Sequence, residues 1–201
     1  MIELPKEYVV NKIITKKTFY EKIGITNNIK DDFINYIEKI IWKYKLAEEN
    51  INISKTDKVE EIEIFEIELK SKKIPKNVLK VISKAIPYKI LFILKYLQEF
   101  IYVIVEDDIY NTEWNKEIEF DFTGYSLSDV YEKLIKTIIE KEGSNEAIEK
   151  ILEKEKNIKE LNNKIEQLTN KMNKEVQFKK KVELNQEIRN LKSKLEEIKD
   201  E

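Results

Sequence analysis

Five consecutive residues, Glu66-Ile67-Glu68-Leu69-Lys70, come nearest to a catalytic pattern in this chain. On a strand, alternate residues share a face, so Glu66, Glu68 and Lys70 project together. Two carboxylates and a lysine on one face are what a magnesium-dependent nuclease needs: the acids hold the metal and the lysine assists the attacking water. Asp57 lies upstream, where a further metal carboxylate would be sought. Most other chemistries are excluded by composition. There is no histidine, which removes the usual general base and transition-metal ligand. There is no cysteine, which removes disulfides, zinc–thiolate sites, iron–sulfur clusters and thiol nucleophiles. The glycines, Gly24, Gly124 and Gly143, stand too far apart for a Walker loop or a dinucleotide fingerprint.

The same strand has a plainer reading, and it is the one adopted. Phe65, Ile67 and Leu69 face a core, while Glu66, Glu68 and Lys70 face water as paired charges. Among 39 acidic and 37 basic residues such spacings arise by chance, and Glu197-Ile198-Lys199 repeats acid-x-lysine in an expected helix. The expectation is therefore no catalytic residue, no metal and no cofactor. Asp57, Glu66, Glu68 and Lys70, with magnesium, form the alternative, and their order is similar to the loose acid-then-acid-x-lysine pattern of restriction-endonuclease-like folds. Ile62 and Ile64 share the parity of the polar set, so the strand either bulges near Phe65 or changes environment along its length.

A second cluster is cationic. Lys171, Lys174, Lys179, Lys180 and Lys181 stand against Glu175, leaving a local charge of about +4. On a projecting arm these lysines could meet phosphates or an acidic protein face; the alternative is a solvated turn kept soluble by charge. The whole chain, at a formal charge of −2 with a pI near 5.7, has no bulk attraction to nucleic acid, so any such contact must be local.

The elements that must position these groups follow from apolar spacing. Of 201 residues, 41% are hydrophobic and 38% charged, enough for one domain with an appendage or two small domains. Tyr8–Ile14 reads as a short strand or an extended lead-in. Thr15 opens a short helix carrying Phe19, Tyr20 and Ile23, closed by Gly24. Ile29, Phe33, Tyr36, Ile37, Ile40, Ile41 and Tyr44 predict one helix from about Asn28 to Leu46. Glu60 to Lys70 alternates as a strand. Pro75 begins a helix with a Val78, Leu79, Ile82, Ile86 stripe that Pro87 ends. Tyr88–Tyr96 has the apolar run of a central strand, and a turn at Leu97-Gln98-Glu99 leads into a strand over Phe100–Val105. Trp114, Ile118, Phe120 and Phe122 predict another strand. Phe19, Tyr20, Trp42 and Trp114 are read as core rather than as a stacking platform. Ser126 and Asp129 then open a helix bearing Val130, Tyr131, Leu134, Ile135, Ile138 and Ile139. The fold class is α+β over 1–143, a mixed, mainly antiparallel sheet with packed helices.

From 144 to 201 the composition changes: no glycine, proline or tryptophan occurs and Phe178 is the sole aromatic. Ile158, Leu161, Ile165, Leu168 and Met172 form one heptad seam; Leu184, Ile188, Leu191, Leu195 and Ile198 form a second, out of phase. The break is read as a reversal into an antiparallel helical hairpin (a coiled coil) rather than a skip in one long helix, although no glycine stands at the turn. No signal peptide is expected from the opening residues, and apolar runs such as Ile90–Leu94 are far short of the ~20 residues that span a bilayer. A cytoplasmic protein with no membrane contact is expected.

Several strings, in order, resemble a known family: Lys16-Lys17-Thr18-Phe19-Tyr20-Glu21, Ile37 to Leu46, Ile64 to Lys70, Lys84 to Phe92, Thr112-Glu113-Trp114, and Gln177 to Asn185. Together they resemble the bacterial domain of unknown function 4391 family over nearly the whole chain. The resemblance carries no catalytic residues. It implies a neighbour of DNA methyltransferases and helicases in defence loci, and so an accessory scaffold or adaptor subunit of a restriction or antiphage system. The helicase or methyltransferase would be held through the body and hairpin, and nucleic acid or a second protein would be met by the basic tip.

Overall fold

A computed structural model describes residues 2–22, 24–141 and 143–200 of the chain. Ile23, expected in the first helix, lies outside the described residues. The structure divides into two compact units, Met1–Ser144 and Asn145–Glu201. The first contains β1 (Val9–Ile13), α1 (Lys16–Lys22), α2 (Asn27–Tyr36), β2 (Ile37–Ala47), α3 (Glu48–Ile51), β3 (Glu61–Leu69), α4 (Lys76–Ala85), β4 (Lys89–Tyr96), β5 (Glu99–Val105), β6 (Ile109–Asn111) and α5 (Leu127–Ile138). The strands lie in the sheet in sequence order. Neighbours are antiparallel except β3 and β4, which are parallel and joined through α4, as a parallel pair requires. This is the expected α+β class with a mixed, mainly antiparallel sheet.

Helices cover both faces of the sheet. On one, Phe65, Ile67 and Leu69 of β3 and Phe92 and Leu94 of β4 pack with Phe33 of α2 and Val78, Leu79 and Ile82 of α4. On the other, α5 lies against β3 and β5. Its start is fixed by the expected capping box: Ser126 Oγ accepts the Asp129 N–H (3.2 Å) and Asp129 Oδ2 accepts the Ser126 N–H (2.9 Å). Gly124 belongs to this turn, because a Cβ there would stand 3.1–3.2 Å from Asp129, Ser126 and Val130. The question of Ile62 and Ile64 is settled by environment rather than by a bulge. The β3–β4 register is unbroken from Ile62 to Glu68, and both isoleucines are fully buried on the α5 face.

Two expectations fail. The helix expected to run to Leu46 stops at Tyr36, and the next eleven residues are β2. The β2–β3 register shifts between Ile37 and Lys39 and again between Trp42 and Tyr44. Each shift changes which parity faces inward. The buried residues Ile37, Ile40, Ile41 and Tyr44 consequently fall at i, i+3, i+4 and i+7, the signature of a helix. The aromatic and β-branched content of the segment suits the strand. The strand expected over Trp114–Phe122 is also absent: the sheet ends at β6, and residues 112–124 cross the unit without regular structure. Phe120 packs edge-on to Tyr102 (4.9 Å between centroids) and tilted against Phe122 (6.2 Å), and Trp114 lies beneath the Lys72 ammonium (5.3 Å).

The second unit is a pair of helices, α6 (Ile148–Lys174) and α7 (Phe178–Asp200), packed together and antiparallel across a three-residue link. At 1.5 Å per residue the arms are ~40 and ~34 Å long. Leu184, Ile188, Leu191 and Leu195 are buried, and the α6 seam from Ile158 to Met172 is half-buried. Lys164 Nζ meets Glu187 Oε1 across the pair at 3.8 Å. The register break is therefore a reversal. It needs no glycine, because no residue of the link has a positive φ. Glu175 takes an ordinary extended conformation (φ −71°, ψ 138°) as the C-cap of α6.

Candidate functional site

On β3 the acidic and basic residues are matched with one another. Glu66 is buried at 5% exposure, and its Oε2 lies 3.6 Å from Lys43 Nζ of β2 and 3.4 Å from Lys95 Nζ of β4. It does not face water as the alternation implied; it is enclosed between two half-buried lysines. Glu68 and Lys70, both partly exposed, pair with Lys39 (3.9 Å) and Glu38 (3.8 Å) on β2. Lys16 joins that end of the sheet, donating from Nζ to the Ile37 carbonyl (2.6 Å). Burial and the neighbouring Lys70 charge hold its pKa below the usual lysine value, against the pull of Glu38. Asp57 is not part of this group. It sits in an exposed turn, closed by the Thr56 N–H to Val59 carbonyl bond (3.0 Å), beyond the opposite end of β3. Seven residues separate Glu61 from Glu68, ~23 Å of strand. The structure thus places Glu66 and Glu68 on one face of β3 and Lys70 one residue past its end, each beside a counter-charge, and leaves Asp57 apart. Among the described residues no three carboxylates converge as metal ligands.

The hairpin tip has a different character. Lys171, Lys174, Lys179, Lys180 and Lys181 are all exposed. Glu175, their local counter-charge, is engaged with the backbone: its Oε1 accepts the N–H groups of Val176 and Gln177, both at 2.9 Å. Those hydrogen bonds, with the charges of Lys180 and Lys171, hold its pKa below the usual carboxylate value. The carboxylate closes the link on the two residues that precede α7. Around it stand three apolar side chains outside the seam: Val176 (90% exposed), Phe178 (81%) and Val182 (52%). The spacing that located the lysines passed these over, although their failure to fit either heptad was the available signal.

A family model for a domain of unknown function, DUF4391, matches residues 2–195. The chain belongs to that family. The match extends over the sheet unit and most of the helical pair, so the DUF4391 pattern includes the tip. No curated protein and no solved structure matches the chain. Among the described residues of this DUF4391 member, no helix is long and apolar enough to cross a membrane.

One group in the DUF4391 sheet was missed altogether. Glu63 shares the parity of Phe65, Ile67 and Leu69, so it is an acid on the helix-covered face. It is 3% exposed, and its Oε2 is buried with no hydrogen-bond partner. Burial, reinforced by the charge of Glu61, pushes its pKa up to about 8, against the opposing influence of Lys45 and the Trp42 indole N–H. An acid on the apolar parity of an alternating strand was the sequence signal for it.

Proposed function

We propose that this chain is a non-catalytic adaptor of a bacterial restriction or antiphage assembly, and that the hairpin tip is its grip on an acidic face of a protein partner. The partner classes are those the family resemblance implies, a helicase or a DNA methyltransferase. The observation that carries the proposal is the combination at the tip of exposed Val176, Phe178 and Val182 with five exposed lysines. Scattered exposed apolar residues are ordinary, but here Phe178 and Val182 lie one helical turn apart with Val176 beside them. An aromatic anchor ringed by cations is the composition of an interface centre and its rim. The lysines select an acidic partner. Nucleic acid fits less well, because valines offer neither phosphate contact nor a stacking face. The neutralised row on β3 supplies no competing reactive centre.

The test is co-purification from the native host. Tagged full-length chain should retain the helicase or methyltransferase. A variant carrying Phe178→Ala with Lys179→Glu, Lys180→Glu and Lys181→Glu should retain at least ten-fold less, with its melting temperature unchanged. Equal retention by both proteins overturns the assignment of the tip. Retention of DNA without a protein, lost in the same variant, overturns the protein partner and assigns the tip to nucleic acid.

A further inference from the structure

The loop that leaves β3 at its carboxyl end and enters α4 carries Lys70, Lys72, Lys73 and, at the first turn of the helix, Lys76, with no acid among the residues between them. Beside it lies an open cleft of about 650 Å³, bordered by Tyr36 of α2, by Lys72, Lys73 and Lys76, and by Trp114 from the segment that follows β6. Two of the ammonium groups rest against the aromatic borders. Lys73 Nζ stands 4.6 Å from the centre of the Tyr36 ring and donates to its hydroxyl (3.0 Å). Lys72 Nζ stands 5.3 Å from the centre of the Trp114 ring. Nearby acids neutralise only part of this set. Lys70 pairs with Glu38 (3.8 Å) and Lys72 with Glu99 (2.5 Å). Asp32 Oδ2 accepts a hydrogen bond from Asn77 Nδ2 (3.2 Å). Lys73 is bonded to a neutral phenol, and Lys76, among the described residues, is paired with no acid.

Cations and aromatic rings side by side along one open cleft suit a single strand of nucleic acid, whose phosphates meet ammonium groups and whose bases take ring faces. The chain as a whole has a charge of −2, so attraction to a polyanion must come from a local patch of this kind. Lysines that serve only solubility extend into water. Here two of them lie back against rings that line the cleft. The contacts that hold them are exposed and therefore weak, so an ammonium leaves its ring for a phosphate at little cost. Its departure uncovers the ring for a base. Tyr36 and Trp114 are half-buried, packed against the core on one side and lining the cleft on the other. A duplex keeps its bases inside the stack, out of reach of such rings. An acidic peptide would meet the lysines and leave the rings unused.

We propose that this cleft binds a short stretch of single-stranded nucleic acid, with Lys72, Lys73 and Lys76 on its phosphates and bases stacked on Tyr36 and Trp114. The site lies within the sheet unit, and the proposal is independent of the hairpin tip.

The experiment measures binding of full-length protein to short labelled oligo-dT and oligo-U by fluorescence anisotropy over a range of salt. Binding of either oligomer is expected, and the tighter one names the sugar. The logarithm of the affinity should fall with the logarithm of salt concentration at a slope of about −2, roughly 0.7 for each of three phosphates. Lys73→Gln with Lys76→Gln should weaken binding at least ten-fold and reduce the slope to about −0.7, with the melting temperature unchanged. Trp114→Ala should weaken binding at least five-fold without changing the slope. The hairpin variant with Phe178→Ala and Lys179→Glu, Lys180→Glu and Lys181→Glu should bind as wild type does. Four results overturn the proposal: no binding of either oligomer, unchanged affinity in the Lys73/Lys76 variant, a duplex or polyglutamate bound as tightly as the single strand, or loss of binding in the hairpin variant. If Trp114→Ala fails to fold, the salt slope of the Lys73/Lys76 variant and the comparison with duplex decide it.

Discussion

Glu63 and Glu66 lie three residues apart on one strand, both almost fully buried, and the sheet treats them in opposite ways. Glu66 projects to the α5 side of β3 and meets lysines from both neighbouring strands. Glu63 projects to the helix-packed side, where Lys45, the cation that acts on it, is held by Glu49 and Glu61. An odd separation in sequence places them on opposite faces of the strand. Burial alone thus says little about a carboxylate. What surrounds it decides whether the charge stabilises the fold or is suppressed. Glu66 is part of the fold's own charge balance, whereas Glu63 is carried at a cost and leaves an oxygen unsatisfied.

The same substitution should therefore act with opposite sign at the two positions. Glu66→Leu leaves Lys43 and Lys95, each about one-third exposed or less, facing each other with no counter-charge. Urea unfolding should show a loss of about 2–4 kcal/mol, the usual cost of breaking a partly buried ion pair. Unchanged stability would remove Glu66 from the charge balance and end the contrast.

Glu63→Leu should do the reverse, and more strongly at alkaline pH. The folded-state pKa of Glu63 is raised from the usual 4.5 to about 8. Between those values the folded protein keeps a proton that the unfolded chain releases. Wild-type stability should accordingly fall as pH rises through that window, by up to ~1.4 kcal/mol per unit, and level off above it. Glu63→Leu removes that slope and should gain about 1–3 kcal/mol at pH 9. Unfolding curves at pH 5, 7 and 9 provide the check. A variant as pH-dependent as wild type would show that another group titrates there.

Much of this arrangement could be read from local patterns, and the failures have a common cause. The Ser126–Asp129 capping box, the β4 run and the two heptads of the hairpin each depend on residues close in sequence, and each appears where its spacing puts it. The end of α2 does not, because two register shifts against β3 give β2 a helical spacing of buried residues, and a bulge is specified by the partner strand. Glu66 reads as solvent-facing until Lys43 and Lys95 are known to flank it, and those lysines belong to two other strands. Glu63 is partly legible, since an acid among Phe65, Ile67 and Leu69 breaks the alternation. Its surroundings depend on where α4 stops and α1 begins, which no window along β3 contains.

A third carboxylate sharpens the comparison at its weakest end. Glu175 is satisfied by backbone N–H groups rather than by lysines, and its pKa is lowered, not raised. The sign is then opposite to that of Glu63. The Glu175 contribution is present above the usual carboxylate pKa and disappears as pH falls through its lowered folded value. Acid should loosen the link and the first turn of α7, and alkali should weaken the sheet unit. Amide hydrogen exchange of the full chain separates the two, because residues 176–182 should exchange faster at low pH while β3 and β4 stay protected. Glu175→Ala should produce that faster exchange at neutral pH. Glu175→Gln, which keeps the acceptor oxygen without the charge, should fall between the two. The effect should be the smallest of the three, because fraying of one exposed turn leaves the seams from Ile158 to Met172 and Leu184 to Ile198 in place. If Glu175→Ala exchanges no faster than wild type, the reversal is held by the seams alone, and the carboxylate merely follows the turn.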